Sequence, residues 1–243
     1  MKNTVFQGVA TALVTPMNSD GSVNYDRLCS LIDEQIEAGV AGLVICGTTG
    51  ESATLSIEEH KKVVDVAIKH ANKRIKIIAG TGSNDTAVAA ELSIEAEESG
   101  ADALLMVTPY YNKTTQAGLI AHFSYVASKV SLPIILYNVP SRTGVNIKPE
   151  TYAELAKVDN IVATKEANGD LSSIVKTINL CGDNLDVYSG NDDQIVPIMA
   201  LGGKGVISVL SNVAPKETVE LCDYMLNGDY KKAAEMQISY SPL

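Results

Sequence analysis

Eight times along this chain a short apolar run gives way to a helical pattern, and that alternation restricts the fold more than any other feature of the sequence. The apolar runs fall at 6–14, 42–46, 75–79, 103–107, 133–137, 161–164, 185–188 and 205–209. They lack polar alternation, as expected of strands covered on both faces. Helical spacing is expected at 25–39, from Ser56 onward, and at 85–99, 115–130, 149–158, 171–180, 192–201 and 215–226. Local punctuation agrees: Gly39 and Gly100 stop helices, Ser56-Ile57-Glu58-Glu59 is a capping box, and Pro149 suits a first helical turn. Strict strand–helix alternation makes the strands parallel, and eight units predict closure into an α/β fold of the (β/α)8 TIM barrel kind. An open doubly wound sheet would want Gly-x-Gly-x-x-Gly after the first strand, where this chain has Val14-Thr15-Pro16-Met17.

A length of 243 residues suits one such barrel, read as a catalytic domain over 1–227. Residues 228–243 read as the start of a truncated C-terminal helical extension: Tyr230, Ala233 and Ala234 keep helical spacing, and Ser241-Pro242-Leu243 follow. With no Trp and two Phe, the core must be aliphatic. A net charge of −10 argues against nucleic acid or an anionic membrane surface as partner. No run reaches the length of a membrane span, and the N-terminus lacks the pattern of a signal peptide. Cys29, Cys46, Cys181 and Cys222 form no C-x-x-C pair, which points to buried thiols in a reducing, cytoplasmic setting. His60, His70 and His122 lie in separate helical patterns, so no metal is expected.

In a closed barrel the chemistry gathers where strands end. Those ends offer Thr15, Thr48, Thr49, Glu51, Tyr110, Tyr111, Tyr137, Arg142, Lys165, Glu166, Gly190 and Asn191. The set is rich in hydroxyls and contains no histidine base and no cysteine nucleophile. Lys165 follows the apolar run Ile161-Val162-Ala163-Thr164. An ammonium in a poorly solvated pocket favours its neutral amine, a nucleophile that condenses with a carbonyl as a Schiff base. Taken alone, the same lysine also fits a side chain reaching solvent from a strand end, each tyrosine a satisfied core residue, and Arg142 a surface ion pair. Several strand ends converging on one chemistry favour the functional reading. Gly47-Thr48-Thr49-Gly50 lacks the Gly-Lys-Ser of a nucleotide loop, though its consecutive N–H groups suit a carboxylate. Arg142 has the forked geometry for a second carboxylate. Leu201-Gly202-Gly203-Lys204-Gly205 precedes a strand and is expected to turn the chain at the opposite end.

Four segments carry a resemblance: Gly47-Thr48-Thr49-Gly50-Glu51, Val107-Thr108-Pro109-Tyr110-Tyr111-Asn112, Tyr137-Asn138-Val139-Pro140-Ser141-Arg142-Thr143-Gly144 and Lys165-Glu166-Ala167. In order and spacing they closely resemble the dihydrodipicolinate synthase family, pyruvate-dependent class I aldolases on (β/α)8 barrels, from the first strand to about Leu226. The resemblance implies that Lys165 forms the imine with pyruvate and that no separate cofactor is needed. It implies that Tyr137 moves protons, in a hydroxyl relay with Thr48 and with Tyr111, which reaches a neighbouring subunit's site. Thr49 and the backbone of Thr48 would hold the pyruvate carboxylate, Arg142 would hold aspartate semialdehyde, and Gly190 and Ile207 would line the pocket. A homo-oligomer, dimer or tetramer, is implied. The product would be 4-hydroxy-tetrahydrodipicolinate, on the route to diaminopimelate and lysine.

The inhibitor site of lysine-regulated relatives maps to Ser52, Ala53, His60, Asn84 and Tyr110, with Ile57 and Val88 where polar or charged groups are common. Weak or absent lysine inhibition is therefore expected. Two other readings share the lysine: an N-acetylneuraminate lyase or keto-sugar-acid aldolase, and a truncated form that binds pyruvate or lysine without turnover. The Thr48-Thr49 pair and the Arg142 loop favour the synthase over the sugar-acid lyases.

Overall fold

A computed structural model describes residues 2–240. Ser241-Pro242-Leu243 lie outside the described residues. Eight strands, β1 Gly8–Ala12, β2 Gly42–Ile45, β3 Lys76–Gly80, β4 Ala103–Val107, β5 Ile134–Asn138, β6 Ile161–Glu166, β7 Asp186–Ser189 and β8 Gly205–Ser208, pair in chain order into a closed barrel. Every pairing is parallel, including β1 with β8. Around it run α1 Tyr25–Glu37, α2 Ile57–Ala71, α3 Thr86–Ser99, α4 Gln116–Ala127, α5 Pro140–Thr143, α6 Pro149–Leu155, α7 Leu171–Cys181, α8 Ile195–Ala200, α9 Pro215–Leu226 and α10 Tyr230–Ser239. Among the described residues no helix is long and apolar enough to cross a membrane.

The period of two along each strand sorts the core into two layers. Ala10, Val44, Ile78, Leu105, Ile135, Ala163, Tyr188 and Ile207 pack inside the barrel. Leu43, Ile45, Ile77, Leu104, Met106, Leu136 and Val206 face outward, against helix residues such as Leu28, Ile32, Val63, Leu119, Phe123 and Leu221. Phe6, just before β1, closes the floor. Its ring stacks on Tyr188 at 4.2 Å, and the Tyr188 hydroxyl donates to the Phe6 carbonyl at 2.7 Å. The β1–β8 seam needs Gly205: a Cβ there would stand 1.8 Å from the Gly8 carbonyl oxygen. Lys2 ties down the same end by donating to the carbonyls of Ala156, Val158 and Ile161 at 2.6–2.7 Å.

Several expected boundaries move. The first run is a strand only over β1, and α4 and α6 end three residues sooner than their patterns suggest. The loop expected after Tyr137 begins as the last strand residue Asn138 and holds the short α5. The helix expected from Asp192 starts as a tight 3-10 turn over Asp192–Gln194, and α8 proper begins at Ile195. The Asp192 carboxylate is engaged elsewhere, accepting the N–H groups of Val209 and Leu210 at 3.0 Å each. Strand β6 runs through Lys165 and Glu166, so these charged residues pair with Tyr188 and Ser189 of β7. Helix α10 lies on the barrel's wall: Gln237 accepts from the Val196 N–H at 2.8 Å and donates to the Asp193 carbonyl at 2.7 Å.

Candidate active site

Strand β6 decides where the amine goes. Ala163 points into the barrel, so Lys165, two residues on, points inward too, while Thr164 and Glu166 point out. Lys165 is 4% exposed, and its Nζ stands 4.3 Å from the centroid of the Tyr137 ring. Register makes that contact: Tyr137 of β5 pairs directly with Lys165. Burial is the main reason the Lys165 amine is depressed to about 8; Asp192 opposes the shift and the Arg142 guanidinium adds to it. A minor fraction of neutral amine, growing with pH, is thus available near neutral pH. The Tyr137 phenol is raised by burial, with Arg142 and the Thr48 hydroxyl pulling it back.

Lys165 opens on a cavity of about 1030 Å³ whose wall includes Thr48, Thr49, Tyr137, Arg142, Gly190 and Asp192. Six residues expected at the site, Thr48, Thr49, Tyr137, Arg142, Lys165 and Gly190, therefore meet around one space, together with Asn191. Gly190 permits the approach of β7 to β6, since a Cβ there would lie 2.8 Å from that of Ala167. Arg142 comes from α5, which starts at Pro140 and is ended by Gly144 in the left-handed region, at φ +70°. The Thr48-Thr49 loop is held by Thr15, whose hydroxyl donates to the Gly50 carbonyl at 2.7 Å. Thr15 thus buttresses the loop and does not face the cavity. Backbone strain concentrates on two mouth loops: Cys46 and Glu51 flank the threonine pair at φ +56° and +55°, and Tyr111 and Lys113 sit at +68° and +49°.

Other expected residues fall elsewhere. Ile207 is wholly buried among the inward side chains and does not line the cavity. Tyr111 is 90% exposed and does not line this chain's own cavity. Glu51 and Tyr110 lie off the cavity wall. Glu166 is turned to the barrel's outer side, where burial pushes its carboxyl up to about 7 despite donors from Asn138, Tyr152 and the Asn168 N–H. None of Ser52, Ala53, His60, Asn84 and Tyr110 lines the Lys165 cavity. His60 is buried, its Nε2 has no partner, and burial lowers its pKa. Asp192 was not anticipated at the site. The Gly190-Asn191 turn was the sequence signal nearest to it, but only the fold brings its charge to bear on Lys165.

A poorly solvated amine at the carboxyl mouth of a closed (β/α)8 barrel, with a phenol against it and a guanidinium across the cavity, defines a Schiff-base barrel of the class I aldolase type. Within that class the chain belongs to the dihydrodipicolinate synthetase family, whose model matches residues 5–243. The 4-hydroxy-tetrahydrodipicolinate synthase of Acetivibrio thermocellus is 51% identical over 98% of this chain and 81% of its own length. The crystal structure of dihydrodipicolinate synthase from Aquifex aeolicus superposes with a TM-score of 0.94 at 48% identity, covering 96% of this chain and 80% of that one. A monomeric dihydrodipicolinate synthase variant superposes at 0.95 with 43% identity, covering 98% and 80%.

Proposed function

We propose that the chain condenses pyruvate with L-aspartate 4-semialdehyde to 4-hydroxy-tetrahydrodipicolinate, the step that leads to diaminopimelate and lysine. The Lys165 amine attacks the pyruvate ketone, and loss of water leaves the imine. A proton lost from the methyl group gives an enamine, whose carbon bonds to the aldehyde carbon. The α-amine of the second substrate then attacks the imine carbon, closing the ring and releasing Lys165 unchanged. One water leaves per turnover, and no cofactor is consumed. Tyr137 carries the protons of these steps. Thr49 and the Thr48 backbone hold the pyruvate carboxylate, Arg142 holds that of the semialdehyde, and Gly190 shapes the pocket, with Ile207 in the packed layer of the barrel interior. Tyr111 completes the relay from a neighbouring subunit of a homo-oligomer, dimer or tetramer, working in the cytoplasm.

The observation carrying this reading is the buried Lys165 amine, depressed to about 8 and packed 4.3 Å from the Tyr137 ring. Borohydride added with pyruvate should attach one reduced pyruvate to the chain, with peptide mapping locating it on Lys165. A folded sample left unmodified, or modified at another lysine, overturns the assignment. Lysine feedback, if built on Ser52, Ala53, His60, Asn84 and Tyr110, should be weak. Val88 has no charge to pair with an ammonium, and Ile57 offers an exposed apolar side chain. Initial rates should fall by less than about twofold at millimolar-range lysine; strong inhibition refutes this.

A further inference from the structure

Resting on that reading, we infer that Glu166 is a positioning residue that holds the Arg142-bearing loop and the Tyr137–Lys165 pair as one unit from the outer side of the barrel. The register places Asn138 opposite Glu166 one step beyond the Tyr137–Lys165 pair, with side chains on the other face. Glu166 is 3% exposed, and Asn138, Tyr152 and Thr164 around it are wholly buried. Its Oε1 accepts from Asn138 Nδ2 at 2.9 Å and from the Asn168 N–H at 3.0 Å. Its Oε2 accepts from the Tyr152 hydroxyl at 2.9 Å and from Asn138 Nδ2 at 3.2 Å. Thr164 donates to the Tyr152 oxygen at 3.0 Å, which commits the Tyr152 proton to Glu166. Every group around this carboxylate is a donor, so the nest fits an acceptor with two oxygens and no other side chain of this size.

Asn138 carries the effect to the site. The same Nδ2 donates to Asn146 Oδ1 at 2.7 Å, and Asn138 Oδ1 accepts from the Ile147 N–H at 3.1 Å. One side chain therefore clasps both ends of the segment from 138 to 147, and Arg142 lies at its middle. The clasp is fixed only while Glu166 holds Asn138. The Thr48-Thr49 loop belongs to the β2 side of the barrel: Thr48 reaches the Tyr137 hydroxyl, but among the described residues neither threonine is a hydrogen-bond partner of Glu166, Asn138 or Tyr152.

The two carboxylate sites should accordingly respond differently. In Glu166→Gln the amide nitrogen replaces one acceptor and must face a donor. With active sites counted by pyruvate–borohydride trapping, this variant should raise KM for aspartate semialdehyde about fivefold or more and lower kcat/KM ten- to a hundredfold. Its KM for pyruvate should stay within about twofold of the parent's. Tyr152→Phe removes one hydroxyl and should show the same asymmetry at a few-fold scale, and it decides the matter where Glu166→Gln does not fold. Both variants matching the parent per trapped site would overturn the inference, as would equal rises in the two KM values. A parent chain that traps no pyruvate would overturn the proposed function itself, and this inference with it.

Discussion

Lys165 is where the chain departs furthest from what burial prefers. A lysine at 4% exposure is costly as a cation, and here burial lets it shed its charge at a lower pH than a free lysine, while Asp192 favours the charged form. The pH dependence follows with a definite sign. The nucleophile is the deprotonated form, and the depressed value of about 8 means its fraction grows about fivefold from pH 7 to 8 and then levels off. The rate of imine formation at sub-saturating pyruvate, read by trapping, should follow that curve. A rate still climbing tenfold per unit above pH 9 would show an unshifted amine. Asp192 opposes the depression, so Asp192→Asn should move the midpoint to lower pH; an Asn still accepts the Val209 and Leu210 N–H groups. The Tyr137 phenol does not add to this titration, because it is raised, away from neutral pH; the Glu166 carboxyl, pushed up to about 7, lies on the barrel's outer side and does not line the cavity.

At the scale of elements, closure of the barrel depends on a few backbone approaches. Gly205→Ala should be severe, since its Cβ would fall 1.8 Å from the Gly8 carbonyl oxygen, in rigid backbone on both sides of the β1–β8 seam. A loss of at least about 4 kcal/mol, seen as lost soluble protein or a collapsed melting temperature, is expected. Gly202→Ala is the control: it shares a positive φ but meets nothing within 4 Å, and should cost only about 1 kcal/mol. Equal melting temperatures for the two would sink the explanation. The eightfold architecture was readable in the sequence because doubly buried strands write themselves as unbroken apolar runs. The ends of β5 and β6 were not readable, since Asn138, Lys165 and Glu166 look like loop residues until pairing with the next strand is known. The four residues of α5 are too few to show a period, and Pro140 and Gly144 mark a loop equally well. Thr48, Tyr137, Arg142 and Lys165 were found because each ends a strand or follows one. Asp192 and the Glu166 nest were missed because Tyr152 and Asn138, and the Val209 N–H that Asp192 accepts, lie 14 to 28 residues away in sequence and meet their partners only in space.

For the whole molecule, the residue left over is Tyr111. It is 90% exposed with a left-handed backbone at φ +68°, a conformation unfavourable to a bulky residue, on a loop whose neighbour Lys113 is strained likewise. Strain and an exposed aromatic ring together make sense where a second copy of the chain receives that ring, as the proposed relay requires. The consequence is genetic complementation between two defective chains. Lys165→Ala removes the nucleophile but keeps Tyr111, and Tyr111→Phe keeps the nucleophile but removes the shared hydroxyl. Each alone should be crippled. Unfolded and refolded together in equal amounts, a dimer that exchanges Tyr111 across its interface would carry one intact site in each mixed pair. About a quarter of the parent's activity should return on random mixing of such dimers. If Tyr111 served the cavity of its own chain, every site would still lack one group, and mixing would restore nothing. Sedimentation of the same samples would separate the two causes of a null result. Mixed oligomers without activity refute the exchange of Tyr111, and monomers refute the oligomer on which that exchange depends.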